Sequence, residues 1–106
     1  MEIHKIEDMF GGWFIGNFNP SIHLTDNFEV GYKTYTMGDK EPSHFQKIAT
    51  EITLIISGTA RIGNQIVHPG ALVVIPPKEE ADFEAITDVE LIAVKFPSIP
   101  SDKVVS

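Results

Sequence analysis

Gly38-Asp39-Lys40-Glu41-Pro42-Ser43-His44-Phe45-Gln46-Lys47-Ile48-Ala49-Thr50-Glu51, with six further residues before Gly58, is the stretch whose reading decides the fold. Written as G-x5-H-x-Q-x4-E-x6-G, it sets an imidazole, a carboxamide and a carboxylate at regular spacing between two turn glycines. Residues two apart on a strand share a face, so His44 and Gln46 point to one side and Phe45 and Lys47 to the other. Glu51 has the opposite parity. It can join His44 and Gln46 only if the chain turns a corner at Ile48-Ala49-Thr50.

On either side of this stretch the chain reads as short extended runs broken by turn residues. Phe28 to Thr36 is rich in β-branched and aromatic residues and ends just before Gly38. Glu51 to Ser57 alternates around Ile52, Leu54 and Ile56 and breaks at Gly58. Ala60-Arg61-Ile62 and Gln65-Ile66-Val67 flank Gly63-Asn64, a two-residue hairpin signal. After Pro69-Gly70, the continuous apolar run Ala71 to Ile75 predicts a strand buried on both faces, closed by Pro76-Pro77. Asp82 to Ile86 and Glu90 to Phe96 complete seven or eight strands. Helix is confined to a turn or two near Ile6 to Phe10. The pattern predicts an all-β antiparallel sandwich or closed barrel, with a core over about residues 28–96. An aromatic N-terminal arm (1–27) and a C-terminal tail (97–106) lie over it, and Pro97 and Pro100 argue against a place for the tail inside a sheet.

The 106 residues fit one domain, and their 42% apolar content suffices for one modest core. Fifteen acidic against eight basic residues leave a net charge of −7, which argues against nucleic acid or an anionic membrane as partner. The absence of cysteine removes disulfides, thiolate metal sites and cysteine nucleophiles together. The polar start, Met1 to Asp8, is no signal peptide, and no apolar run is long enough to cross a bilayer. These features lead us to expect a cytoplasmic protein.

With its strands assigned, the chain resembles a small single-domain cupin. The first motif of that family, G-x5-H-x-H-x3-4-E-x6-G, is matched by Gly38, His44, Glu51 and Gly58, with Gln46 in place of the second histidine. The second, G-x5-P-x-G-x2-H-x3-N, is matched at Gly70 and Pro76 and departs at Lys78, Ala81 and Ala85. The resemblance covers roughly Val30 to Phe96. It implies a double-stranded β-helix, or jelly-roll barrel, and a homodimer paired through sheet faces and terminal arms. It further implies one divalent metal ion (Mn, Fe, Ni or Zn) held by His44, Gln46 and Glu51, with Asp82 as a fourth ligand if a bulge turns it inward. Glutamine is a poor exchange for imidazole with such ions.

The same three residues admit other chemistry. Without an ion, His44 can donate to Glu51 while Gln46 offers a donor and an acceptor, forming a binding site for a polar small molecule. His44 and Glu51 are also the catalytic candidates, an acid–base pair suited to proton abstraction beside a carbonyl, as in sugar isomerisation. A module that keeps the barrel and has lost its chemistry is the remaining reading. His4, His23 and His68 have no partner at metal spacing. Glu79-Glu80-Ala81-Asp82 reads as a solvated loop at the barrel mouth. Facing the pocket it would repel anions unless Lys33, Lys47 or Lys78 offsets it. No G-x-S-x-G, P-loop, G-x-G-x-x-G or H-E-x-x-H motif is present.

Overall fold

In the computed structural model, which describes residues 1–106, two β-sheets face each other and close around one apolar core. Eleven strands build them: β1 Trp13–Gly16, β2 His23–Leu24, β3 Glu29–Tyr35, β4 Lys40–Gln46, β5 Thr50–Ser57, β6 Ala60–Ile62, β7 Gln65–Val67, β8 Leu72–Ile75, β9 Ala81–Ala85, β10 Val89–Phe96 and β11 Lys103–Val105. The six-stranded sheet runs β2-β1-β3-β10-β5-β8 and the five-stranded sheet β11-β4-β9-β6-β7. Every pairing is antiparallel except β1 with β2. Helix is limited to two 3-10 turns, Ile6–Asp8 and Phe10–Gly12, where the sequence places its only helical residues.

Alternation explains the core. In β10 the inward residues Val89, Leu91 and Ala93 are buried, as are Ile55 in β5, Ala60 and Ile62 in β6, and Phe83 and Ala85 in β9. Gly38 and Gly58, the glycines that frame the first motif, have φ of 90° and 82°, where side-chain-bearing residues are strained. At Gly58 a Cβ would also lie 1.9 Å from the Asp88 carbonyl oxygen, so the turn after β5 demands glycine twice over.

Three expectations change. The run ending at Ile75 is not buried on both faces: β8 is an edge strand bonded only to β5, and Leu72 and Val74 are 68% and 59% exposed. The apolar alternation at Leu54 and Ile56 likewise faces outward, since Thr53 and Ile55 take the inner side. The two arms also do more than lie over the barrel. β1 joins the six-stranded sheet beside β3, and β11 joins the five-stranded sheet beside β4. Pro97 and Pro100 stay outside the strands, which leaves Lys103–Val105 free to pair.

Candidate functional site

The corner expected between Gln46 and Glu51 exists, and the tail makes it. β4 lies in one sheet and β5 in the other, so the chain crosses between sheets at 47–49. Crossing leaves backbone N–H groups without ladder partners. The buried Asp102 carboxylate accepts from Ile48 N at 3.0 Å and Ala49 N at 2.8 Å, while its carbonyl accepts from Lys47 N at 3.1 Å. With the corner fixed, His44, Gln46 and Glu51 all line one cavity of about 190 Å³ between the sheets.

A bulge completes the wall. Glu41 pairs with Phe83 and His44 with Ala81, so three steps along β4 match two along β9. The extra residue brings Glu41 onto the same side as His44 and Gln46, and Glu41 lines the cavity too. In a regular strand Glu41 would face away, which is why the spacing alone conceals it. Tyr35 donates to Glu41 Oε1 at 2.8 Å and stacks against Phe83 at 4.4 Å between ring centroids. Burial, then the Glu41 charge and this hydrogen bond, push the Tyr35 hydroxyl well above its ordinary value. It stays protonated and acts as a donor.

Three lysines share the cavity: Lys33 from β3, Lys95 from β10 and Lys103 from β11. Lys33 is foreseen at the mouth, but Lys47 and Lys78 are exposed and take no part in the wall. Lys95 could have been found from its parity, two residues after the buried Ala93, whereas Lys103 is hidden by the prolines before it. The Lys33 and Lys95 ammonium groups stand 5.7 and 4.9 Å from the centroid of the Trp13 ring. Trp13 holds that place because its cross-strand neighbour is Gly31, where a Cβ would meet the ring at 2.7 Å. Burial lowers the Lys33 pKa from its ordinary value; Lys103 and Lys95 add to this, and Glu41 and Glu51 oppose it.

The candidate metal ligands are brought together only in part. His44 Nδ1 contacts the Pro42 carbonyl oxygen at 3.0 Å, and no hydrogen bond joins His44 to Glu51. Asp82 is a lining residue of the cavity, but its carboxylate is committed to Arg61. Its carboxylate is held by both terminal nitrogens of Arg61, at 2.9 and 3.1 Å, and the Arg61 hydrogen bond lowers its pKa. The register shift between β4 and β9 falls in β4, between Glu41 and His44. No three His, Asp or Glu side chains converge to hold an ion, and Lys95 stands directly across from Glu51 in the sheet. One imidazole, with carboxylates that do not converge on it and three ammonium groups among them, does not fit a tightly held divalent metal. No chemical step is derived through one. The other histidines are exposed, with His4 beside Glu2 and His68 beside Thr59.

No protein-family model matches the chain, and no curated protein matches it in sequence. Its shape has many counterparts. A protein with a double-stranded β-helix domain from Klebsiella pneumoniae superposes with a TM-score of 0.71 at 17% identity, over 77% of this chain and 72% of that one. Two paired sheets, the corner and the interior cavity thus define a double-stranded β-helix. A cupin-2 domain containing protein from Shewanella frigidimarina is also similar, with a TM-score of 0.60 at 16% identity over 68% of this chain and 72% of that one. The DMSP lyase DddQ from Ruegeria pomeroyi gives 0.72 at 16% identity, over 87% of this chain and 48% of that one. The chain has the fold of a small cupin. At these identities the likeness establishes the fold, and the chemistry rests on the residues themselves.

Proposed function

We propose that this cupin-fold domain binds a small polar molecule in the cavity between its sheets. The observation that carries the reading is the wall itself: a space of about 190 Å³ bounded by apolar Ile75, Phe83 and Leu91 and by polar His44, Gln46 and Glu51. Apolar walls with a few converging polar groups are the usual make-up of a ligand pocket. A fragment screen followed by amide chemical shifts tests it, with Ala81→Phe as the plugged control. Hits are expected to shift Thr53, Gln46 and Ala93 and to lose binding in the plugged variant. Hits that map elsewhere, or bind the plugged variant equally, overturn the reading.

The Glu51 side chain takes part in no hydrogen bond or ion pair, so the same wall offers a base to a bound molecule. Turnover of a bound molecule that is lost in Glu51→Gln would extend binding to conversion. Elemental analysis of protein purified without a histidine tag is expected to show metal well below one ion per chain. A stoichiometric ion that disappears in His44→Ala and Glu51→Ala would replace this reading with a metal centre.

We also propose that two copies pair through the outer face of the six-stranded sheet. Leu54, Leu72 and Val74 are exposed there, with Ile52, Ile92 and Val94 half-buried among them. The only carboxylate among the outward residues of the central strand β10 is Glu90, tied to Tyr32 and Ser57. Copies of net charge −7 repel one another most where charge is dense, so this face is where two can meet. Sedimentation is expected to show a dimer that Leu72→Lys dissociates; a monomer at high micromolar concentration overturns the pairing.

A further inference from the structure

Among all buried side-chain nitrogen and oxygen atoms, Gln46 Nε2 is the one without a hydrogen-bond partner. Gln46 is 5% exposed, so no bulk water solvates that N–H group, and a buried donor left unmade costs about 1–3 kcal/mol. The atom sits where chemistry is concentrated. Gln46 lines the 190 Å³ cavity and also a second one of about 290 Å³, and Trp13, Lys95 and Lys103 are the other residues that line both. Lys103 is the direct cross-strand partner of Gln46. No carboxylate oxygen lies within 4.0 Å of the Lys33, Lys95 or Lys103 ammonium, although glutamates share the cavity. An unmade donor and two uncommitted cations, Lys95 and Lys103, at the junction of two cavities, with Lys33 in the wall of the first, describe a place for an anion.

Resting on the reading that the cavity binds a small molecule, we propose that this junction is a carboxylate subsite. Gln46 Nε2 supplies the directed hydrogen bond, Lys33, Lys95 and Lys103 supply the charge, and the Trp13 ring holds two of the ammonium groups in place. Local balance selects the ligand. Glu41, Glu51, Glu79 and Asp82 line the same cavity; Asp82 is paired with Arg61, and the three glutamates offset the three lysines, so a monoanion is accommodated where a phosphate dianion is repelled. Beyond the junction, Glu41 and Glu51 present acceptors, which favour a ligand whose other groups are hydroxyl donors. The occupant is a small hydroxylated monocarboxylate.

Lactate and lactamide, matched in shape and different in charge, test this on the intact chain with the Gln46 side-chain amide resonances as readout. Lactate is expected to shift those resonances, to bind more tightly than lactamide, and to weaken with added sodium chloride. Lys95→Met, read at the Gln46 side chain, and Gln46→Leu, read at the Ala93 backbone amide, are each expected to reduce lactate affinity about tenfold or more, the loss of one contact to the carboxylate. Equal binding of lactamide would sink the carboxylate subsite and leave the small-molecule reading standing. Tighter binding of inorganic phosphate than of lactate would sink the choice of a monocarboxylate. No shift at Gln46 with any of the three probes would also sink the subsite, while the fragment screen against Ala81→Phe judges the cavity independently.

Discussion

The interior of this protein has two ends that obey opposite rules. Near Val89, Ile55 and Ala85 the sheets close completely, with exposures of 2%, 0% and 1%. Six residues along β10, Lys95 faces the same interior beside Gln46, Glu51 and Trp13, and there the space is left unfilled. Both ends are built from the same strands with the same alternation. The difference lies in side-chain chemistry at the inward positions: branched and small apolar residues at one end, long charged ones at the other. One end makes the fold, and the other is held open by it.

Ile55→Ala should break this contrast most severely. It opens a cavity at the fully buried centre of the closed end and is expected to cost about 3 kcal/mol in urea unfolding. Asp102→Ala comes next, because it strips the Ile48 N–H group and the buried Ala49 N–H group of their acceptor. A loss of about 2 kcal/mol is expected, with faster hydrogen exchange at those two amides. Gln46→Leu should sharpen the contrast by inverting the sign. Replacing an unsatisfied buried carboxamide with an apolar side chain of similar size is expected to leave stability unchanged or raise it by about 1 kcal/mol, while lactate binding falls. A marked destabilisation would mean that Gln46 belongs to the closed end.

The smallest effect concerns two hydrogen-bonded carboxylates. Asp82 and Glu90 both have lowered pKa values in the folded chain, Asp82 through Arg61 and Glu90 through Tyr32 and then Ser57. In the unfolded chain each binds its proton at a higher pH. Their stabilisation is therefore present above the unfolded value, about 4 for each, and is lost as pH falls through the lower folded one. Melting temperature should drop on acidification below about pH 4, and less steeply in Asp82→Asn.

Much of the fold is legible in the residues, because turn glycines, Pro76-Pro77 and period-two alternation each constrain the chain locally. The cavity is legible in part. His44, Gln46 and Glu51 follow from spacing plus one corner, and all three line it. Glu41 was hidden because a bulge reverses parity, and local sequence carries no clear mark of where an extra residue is absorbed. The outward turn of Leu54 and Leu72 is not legible in the sequence for another reason. An apolar run declares that its residues avoid water, yet an exposed apolar face reads the same as a buried one. Lys103 needed the pairing of β11 with β4, a contact between residues far apart in the chain.

That last pairing also bears on how the protein is made. Synthesis is vectorial, and β11 is the last of the strands to be added. Until then the crossing at Lys47 to Ala49 has no clasp, β4 has a bare edge, and one cavity lysine is missing. The growing chain thus receives the clasp of its corner and one lysine of its cavity at the same late step.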